Sequence, residues 1–181
     1  MIYIFLAVGF EEVEALTPLD ILIRAGADIK TVGIGKKLIT GAHGIQIYAD
    51  LESSEITDFN VQMIILPGGM PGTLNLEKSE IVTTAIKNAH KNNAFIAAIC
   101  AAPSILGKMG LLSGKQAVCF PGYEEYIEGA TVQKCGVITD GTIITAAGMG
   151  VALEFGLGLV KCLYGERKAN ELFESTQAYR Y

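Results

Sequence analysis

The chain has 181 residues, half of them hydrophobic, with a formal net charge of −5 and four cysteines. That length and apolar content suffice to bury a core without covalent staples. The acidic balance and dispersed lysines leave no basic stripe to follow a phosphate backbone, so nucleic acid is not an expected partner. Cys100, Cys119, Cys135 and Cys162 show no C-x-x-C pairing and read as reduced thiols of a cytoplasmic protein.

The apolar opening Ile2–Val8 lacks a basic lead-in and runs straight into Glu11, Glu12 and Glu14, so it reads as a buried first strand rather than a secretory signal. Further Ile- and Val-rich runs at Asp28–Ile34, Val61–Leu66, Ala94–Ile99 and Thr142–Ala146 suit strands buried on both faces. Between them, Glu11–Ala25, Ser79–Asn92, Ala101–Met109 and Val151–Leu163 carry apolar residues at helical spacing, and Gly26, Gly110 and Gly165 mark helix ends. Lys36–Leu51 changes to short alternating pieces around Gly41 and Gly44, a β-excursion or hairpin at a sheet edge, and Gln116–Asp140 reads as irregular. Ala146–Leu163 is interrupted by Glu154 and Lys161 and falls short of a membrane span. The alternation predicts an α/β fold with a mostly parallel sheet and helices on both faces, residues 1–181 forming one domain.

Such sheets place ligands beyond the carboxyl ends of their strands, which directs attention to Gly9–Glu14, Pro67–Gly72 and Cys100–Pro103. Cys100 sits where an apolar strand gives way to a helix, among small residues that allow a sharp turn. It is either a nucleophile on an elbow, its thiolate favoured by the helix N-terminus, or a buried structural thiol. Gly68-Gly69 either makes a plain turn or brings a backbone amide, that of Gly69, to the thiol as an oxyanion donor. Glu11 and Glu12 read as ordinary acids of a first helical turn, whereas Glu14, held in a partly dry pocket, would have a raised pKa and exchange protons with Cys100. His90 belongs on a polar helix face; His43 lies in the β-excursion, as an exposed turn residue or a minor contributor to the pocket. Gly148-Met149-Gly150 opens a helix near the pocket wall, but Leu153 breaks a dinucleotide fingerprint, and neither a phosphate loop nor zinc-ligand spacing is present, so no metal or cofactor is expected.

With Gly9-Phe10-Glu11-Glu12-Val13-Glu14, Leu66-Pro67-Gly68-Gly69 and Ala97-Ala98-Ile99-Cys100-Ala101-Ala102-Pro103 in this order, nearly the whole chain resembles the ThiJ/PfpI superfamily, in the branch of the Parkinson-disease-associated protein deglycase and its bacterial relatives. The resemblance implies a flavodoxin-like three-layer sandwich, often dimeric. It also implies Cys100 as nucleophile bonded to a protonated Glu14, with Gly69 and Ala101 as oxyanion amides and Gly68 beside them. Histidines that many relatives carry near the cysteine are replaced by Ala101 and Phe120. The first replacement argues against a protease, and the second against efficient hydrolytic turnover. His43 stands where relatives often carry an arginine near the dimer contact, and Phe120 and Met149 complete the expected pocket. The implied activity is on small reactive carbonyls or glycated adducts, as a glutathione-independent glyoxalase or deglycase needing no cofactor. The alternative is a redox-sensing stress protein or chaperone in which Cys100 becomes a sulfinate.

Overall fold

In the computed structural model β1 (Ile2–Leu6) is buried at every position, as its unbroken apolar run requires of a strand covered on both faces. The structure describes residues 1–178, so the last three residues of the expected 1–181 unit lie outside the described residues. β1 lies between β2 (Ile29–Gly33) and β6 (Met63–Leu66), parallel to both. β7 (Phe95–Ile99) and β11 (Ile143–Ala146) extend the parallel set beyond β6; β5 (Leu51–Glu52) forms the opposite edge, next to β2. β10 (Val137–Asp140) pairs antiparallel with β11, giving the seven-stranded order β10-β11-β7-β6-β1-β2-β5.

Alternation within the strands separates two cores. Tyr3, Phe5 and Ala7 face α3 (Glu80–Lys91) and α4 (Pro103–Lys108), whereas Ile2, Ile4 and Leu6 face α1 (Glu12–Ala25), α5 (Ala152–Tyr164) and α6 (Glu166–Ser175). The result is the expected mostly parallel α/β sandwich. Gly26 takes φ 85° and its amide closes the last turn of α1, an end at which glycine avoids the Cβ penalty. α5 packs against α1 through Gly156, where an added Cβ would stand 3.1 Å from Pro18 Cα, so small size here sets how closely α1 is held.

Several elements depart from the sequence reading. α2 (Gly72–Glu77) and α6 were not foreseen: α2 is a single short segment after a glycine-rich turn, and α6 buries little beyond Ala169 and Leu172. α4 is shorter than Ala101–Met109 because residues 100–102 form the turn that precedes it. The excursion is the expected hairpin, β3 (Leu38–Thr40) antiparallel to β4 (Gln46–Tyr48), but it forms its own two-stranded sheet instead of joining the edge of the main one. It is tied to the end of β1 by Gly9 N–H donating to Thr40 O (2.9 Å) and Ala42 N–H to Phe10 O (2.8 Å). The stretch read as irregular contains β10 and a short parallel pair, β8 (Gln116–Ala117) with β9 (Thr131–Val132).

Candidate active site

Strands β7, β6 and β1 are neighbours and parallel, so the turns leaving them emerge side by side at one end of the sheet. This brings together three segments far apart in sequence: Ala7–Glu14, Pro67–Gly72 and Cys100–Pro103. Cys100 has φ 65°, a left-handed conformation that is uncommon for a residue with a side chain and is associated with nucleophile elbows. Two backbone bonds hold it, from Cys100 N–H to Ala146 O (2.9 Å) and from Phe120 N–H to Cys100 O (2.8 Å). A merely structural thiol needs no such turn.

Glu14 projects from the first turn of α1 and is 1% exposed. Its Oε2 accepts a 2.9 Å bond from Gly68 N–H, and its carboxyl is hydrogen-bonded to the Cys100 thiol. Burial pushes Glu14 up to about 7; the bonds with Cys100 and Gly68 oppose that rise, the Glu11 charge adds to it and the Met149 backbone opposes it. Burial, followed by the charge and hydrogen bond of Glu14, pushes Cys100 up to about 12 against the backbone amides of Ala101 and Gly69. The thiolate expected from a helix N-terminus is therefore outweighed by desolvation and by the neighbouring carboxylate. The pair nevertheless holds one proton just above neutrality, and a carboxylate with a thiol is a tautomer of a carboxylic acid with a thiolate.

The glycines leave room for this arrangement. An added Cβ at Gly68 would lie 2.6 Å from Glu14 Oε2 and 2.7 Å from Cys100 Cβ. At Gly69, with φ 89°, it would collide with the backbone of Gly9, Phe10 and Glu11. The backbone amides of Gly69 and Ala101 both act on the Cys100 thiol, favouring its anion. Phe120, half exposed, sets its ring beside Gly148, where an added Cβ would be 3.3 Å from the ring and 3.9 Å from Glu14 Oε1. Met149 contributes backbone to Glu14 and leaves its side chain largely exposed.

His43 is engaged elsewhere: its Nδ1 lies 3.0 Å from Glu12 Oε2 and 3.5 Å from Glu11 Oε2, and most of its side chain is exposed. Glu12 is not the ordinary first-turn acid expected. It is buried, and its Oε1 accepts from His43 N–H (2.9 Å) and Ile45 N–H (3.4 Å), anchoring the β3–β4 turn to α1. No spacing signal marked it, because the partners are 31 and 33 residues away. Donor atoms of Glu11, Glu12 and His43 converge within 4.8 Å, an arrangement that could hold a metal, but the ion pair and the amide bonds account for their closeness. His90 is exposed on α3 as expected. Cys119 is buried, which with the Glu124 charge pushes its thiol up to about 11.

The sequence matches the DJ-1/PfpI family over residues 1–162. The chain belongs to this family. It is 37% identical over 167 residues to the Arabidopsis thaliana protein DJ-1 homolog B, covering 91% of this chain but 38% of that protein, and it spans less than half the length of either Arabidopsis homologue. It is 28% identical over 165 residues to a Caenorhabditis elegans glutathione-independent glyoxalase, covering 91% of this chain and 88% of that one. The solved structure of oxidized DJ-1 from Toxoplasma gondii superposes with a TM-score of 0.95 at 29% identity, covering 99% of this chain and 98% of that chain. Among the described residues no helix is long and apolar enough to cross a membrane.

Proposed function

We propose that this protein is a cofactor-independent enzyme acting on small reactive carbonyls, with Cys100 as nucleophile and Glu14 as the group that accepts and returns the proton. The observation carrying this reading is the Glu14–Cys100 hydrogen bond, with burial holding the carboxyl at about 7, where both of its protonation states are populated near neutral pH. The glyoxalase of C. elegans among its relatives supports the reaction class.

With a 2-oxoaldehyde, the Cys100 sulfur adds to the aldehyde carbon and the thiol proton goes to Glu14 and then to the new hydroxyl oxygen. The amides of Gly69 and Ala101 stabilise that oxygen while it is charged. Glu14, again a carboxylate, removes the hydrogen on the former aldehyde carbon and returns it to the neighbouring carbonyl carbon, while the proton on the hydroxyl moves to the neighbouring oxygen. This gives a thioester of a 2-hydroxy acid. Water releases the hydroxy acid and restores the thiol. A deglycase would use the same addition on a glycated adduct. A protease is not favoured, since the partner bonded to Cys100 is a carboxyl and His43 is held by Glu12.

The test is lactate formation from methylglyoxal without glutathione. Cys100→Ser and Glu14→Ala should abolish it, and unchanged turnover in either would overturn the reading. Exposed Val13 and Ile23 of α1, with Leu38, Ile45 and Tyr48 of the β3–β4 excursion, support a homodimer as part of this proposal, and the four free thiols suit the cytoplasm. Light scattering on the purified protein should return twice the monomer mass.

A second reading is favoured by the oxidized Toxoplasma structure: Cys100, partly exposed, would be oxidised by peroxide to a sulfinate held by the Glu14 acid. Mass spectrometry after graded peroxide should then find two added oxygens at Cys100 before Cys119, Cys135 or Cys162 react.

A further inference from the structure

Phe120 is held beside the reacting pair by its backbone, yet its ring joins neither apolar core. Its N–H donates to Cys100 O at 2.8 Å, which places the residue next to the one that carries the thiol, and it is 46% exposed. Gly148 relates the ring to Glu14. A Cβ there would lie 3.3 Å from ring Cδ2 and 3.9 Å from Glu14 Oε1, so the ring edge is no more than 7.2 Å from that oxygen, the two distances laid end to end. Glu14 is in turn hydrogen-bonded to Cys100. A second large apolar side chain leaves the same edge: Met149 follows Gly148, is 56% exposed, and acts on Glu14 through its backbone. Single exposed apolar residues are ordinary, but an aromatic ring and a thioether beside one reactive pair form the kind of patch that marks a binding site.

The chemistry of this edge selects the ligand. The charge acting on Cys100 is that of Glu14, and the charge acting on Glu14 is that of Glu11. Both are negative, so an anionic group beside the pair would be repelled. A ring face offers no strong hydrogen bond, so a polar group laid on it would lose water without compensation. An aromatic group suits both neighbours, because rings attract rings beyond their area burial and a thioether favours a ring beside it. Length points the same way. A phenyl group on the substrate is long enough to close the gap to Phe120 down to the about 3.5–4.0 Å at which carbon atoms attract, and a methyl group is not.

We infer that the Phe120 ring is the specificity-determining wall for the group attached to the carbonyl that Cys100 attacks, and that this group is aromatic, making aryl 2-oxoaldehydes better substrates than methylglyoxal. The inference rests on the carbonyl-enzyme reading for turnover but not for the contact with the ring.

Two measurements test it. The first compares kcat/KM for phenylglyoxal, followed as mandelate, with that for methylglyoxal, followed as lactate; each reaction takes up one water. The ratio should exceed one. In Phe120→Ala it should fall about 2- to 10-fold, the size of one aromatic contact, chiefly through a raised KM for phenylglyoxal. Phe120→Leu, which keeps apolar bulk without the ring, should lower it as well. A wild-type ratio below one, or a ratio unaltered by both substitutions, would overturn the inference, with circular dichroism establishing that each variant is folded. The second measurement needs no turnover. Attack of a thiol on phenacyl bromide or bromoacetone forms a carbon–sulfur bond, expels bromide and releases the thiol proton to solvent. Mass spectrometry then compares modification at Cys100 with that at exposed Cys135 of the same chain. Cys100 should favour phenacyl bromide over bromoacetone more strongly than Cys135 does, and Phe120→Ala should erase the excess. Equal preference at the two thiols overturns the inference even if methylglyoxal is consumed. An excess that Phe120→Ala erases, without turnover of either aldehyde, would instead overturn the carbonyl-enzyme reading and leave the role of Phe120 standing.

Discussion

Replacing Glu14 by glutamine isolates the energetic consequence of burying a carboxyl beside Cys100. The carboxyl is 1% exposed and its pKa rises from 4.5 to about 7 on folding. Below about pH 4.5 it is protonated in folded and unfolded chains alike. As pH rises from about 4.5 toward 7 the unfolded chain loses this proton first, so the native state loses stability relative to the unfolded one, and above 7 the loss is complete. At about 1.4 kcal/mol for each tenfold change in proton affinity, the move from 4.5 to about 7 is worth on the order of 3 kcal/mol. The glutamine of the Glu14→Gln variant has no charge to desolvate and keeps an oxygen to accept from the Gly68 amide. Urea denaturation of both proteins between pH 4 and 8.5 should therefore show the variant gaining about 3 kcal/mol on the wild type across that window. Contributions from Glu12 and His43 are common to both proteins and cancel in the difference. Parallel stability profiles, or a difference that grows toward acid pH, would refute the raised carboxyl pKa and with it the proton role assigned to Glu14.

The same substitution removes the negative charge that raises Cys100, so the pH at which alkylation by iodoacetamide accelerates should move down from the region of 12. Gly68→Ala should displace both Glu14 and Cys100, lose methylglyoxal turnover and cost about 1–3 kcal/mol in thermal or urea denaturation, as overpacking does. Gly156→Ala should lower stability by a similar amount, because its Cβ would press on Pro18 backbone of the helix that carries Glu14. The His43 pKa is raised, chiefly by its bond to Glu12, so its contribution to anchoring the β3–β4 turn is present at acid pH and lost as pH rises through that raised value. Relative to His43→Ala, amide exchange at Ala42–Ile45 should be protected at low pH and converge with the variant at high pH, after correction for intrinsic exchange rates.

What the sequence made legible was the part written in local pattern. Unbroken apolar runs identified β1, β6, β7 and β11, because strands buried on both faces need apolar residues without alternation. The ends of those strands then located Glu14, Gly69 and Cys100. The φ of 65° at Cys100 was not legible, since the residue is not a glycine and only tertiary bonds to Ala146 and Phe120 impose it. Glu12 was misread for a related reason. Three acids in a first helical turn look alike until the fold carries the β3–β4 turn over one of them and buries it. α6 escaped because two buried positions in ten residues give a weak apolar stripe, and α2 because a six-residue helix has too few turns to show a period.

Three departures from an easily folded arrangement lie beyond the carboxyl ends of β1, β6 and β7. Cys100 occupies a backbone conformation that costs on the order of 1–3 kcal/mol for a residue with a side chain. Glu14 is buried where ionisation is opposed, and Thr73 keeps a sealed hydroxyl without a partner. At the opposite end of β7, Asn93 also takes a left-handed conformation, φ 54°, but asparagine tolerates it at far lower cost than most residues with a side chain. A chain shaped for stability alone would place glycine at position 100, an uncharged residue at 14 and valine at 73, with an expected gain in stability at each position. That the first two of these choices meet at one thiol is hard to reconcile with a structural role for Cys100. It fits the proposed role of Cys100 and Glu14 as a nucleophile and its proton partner.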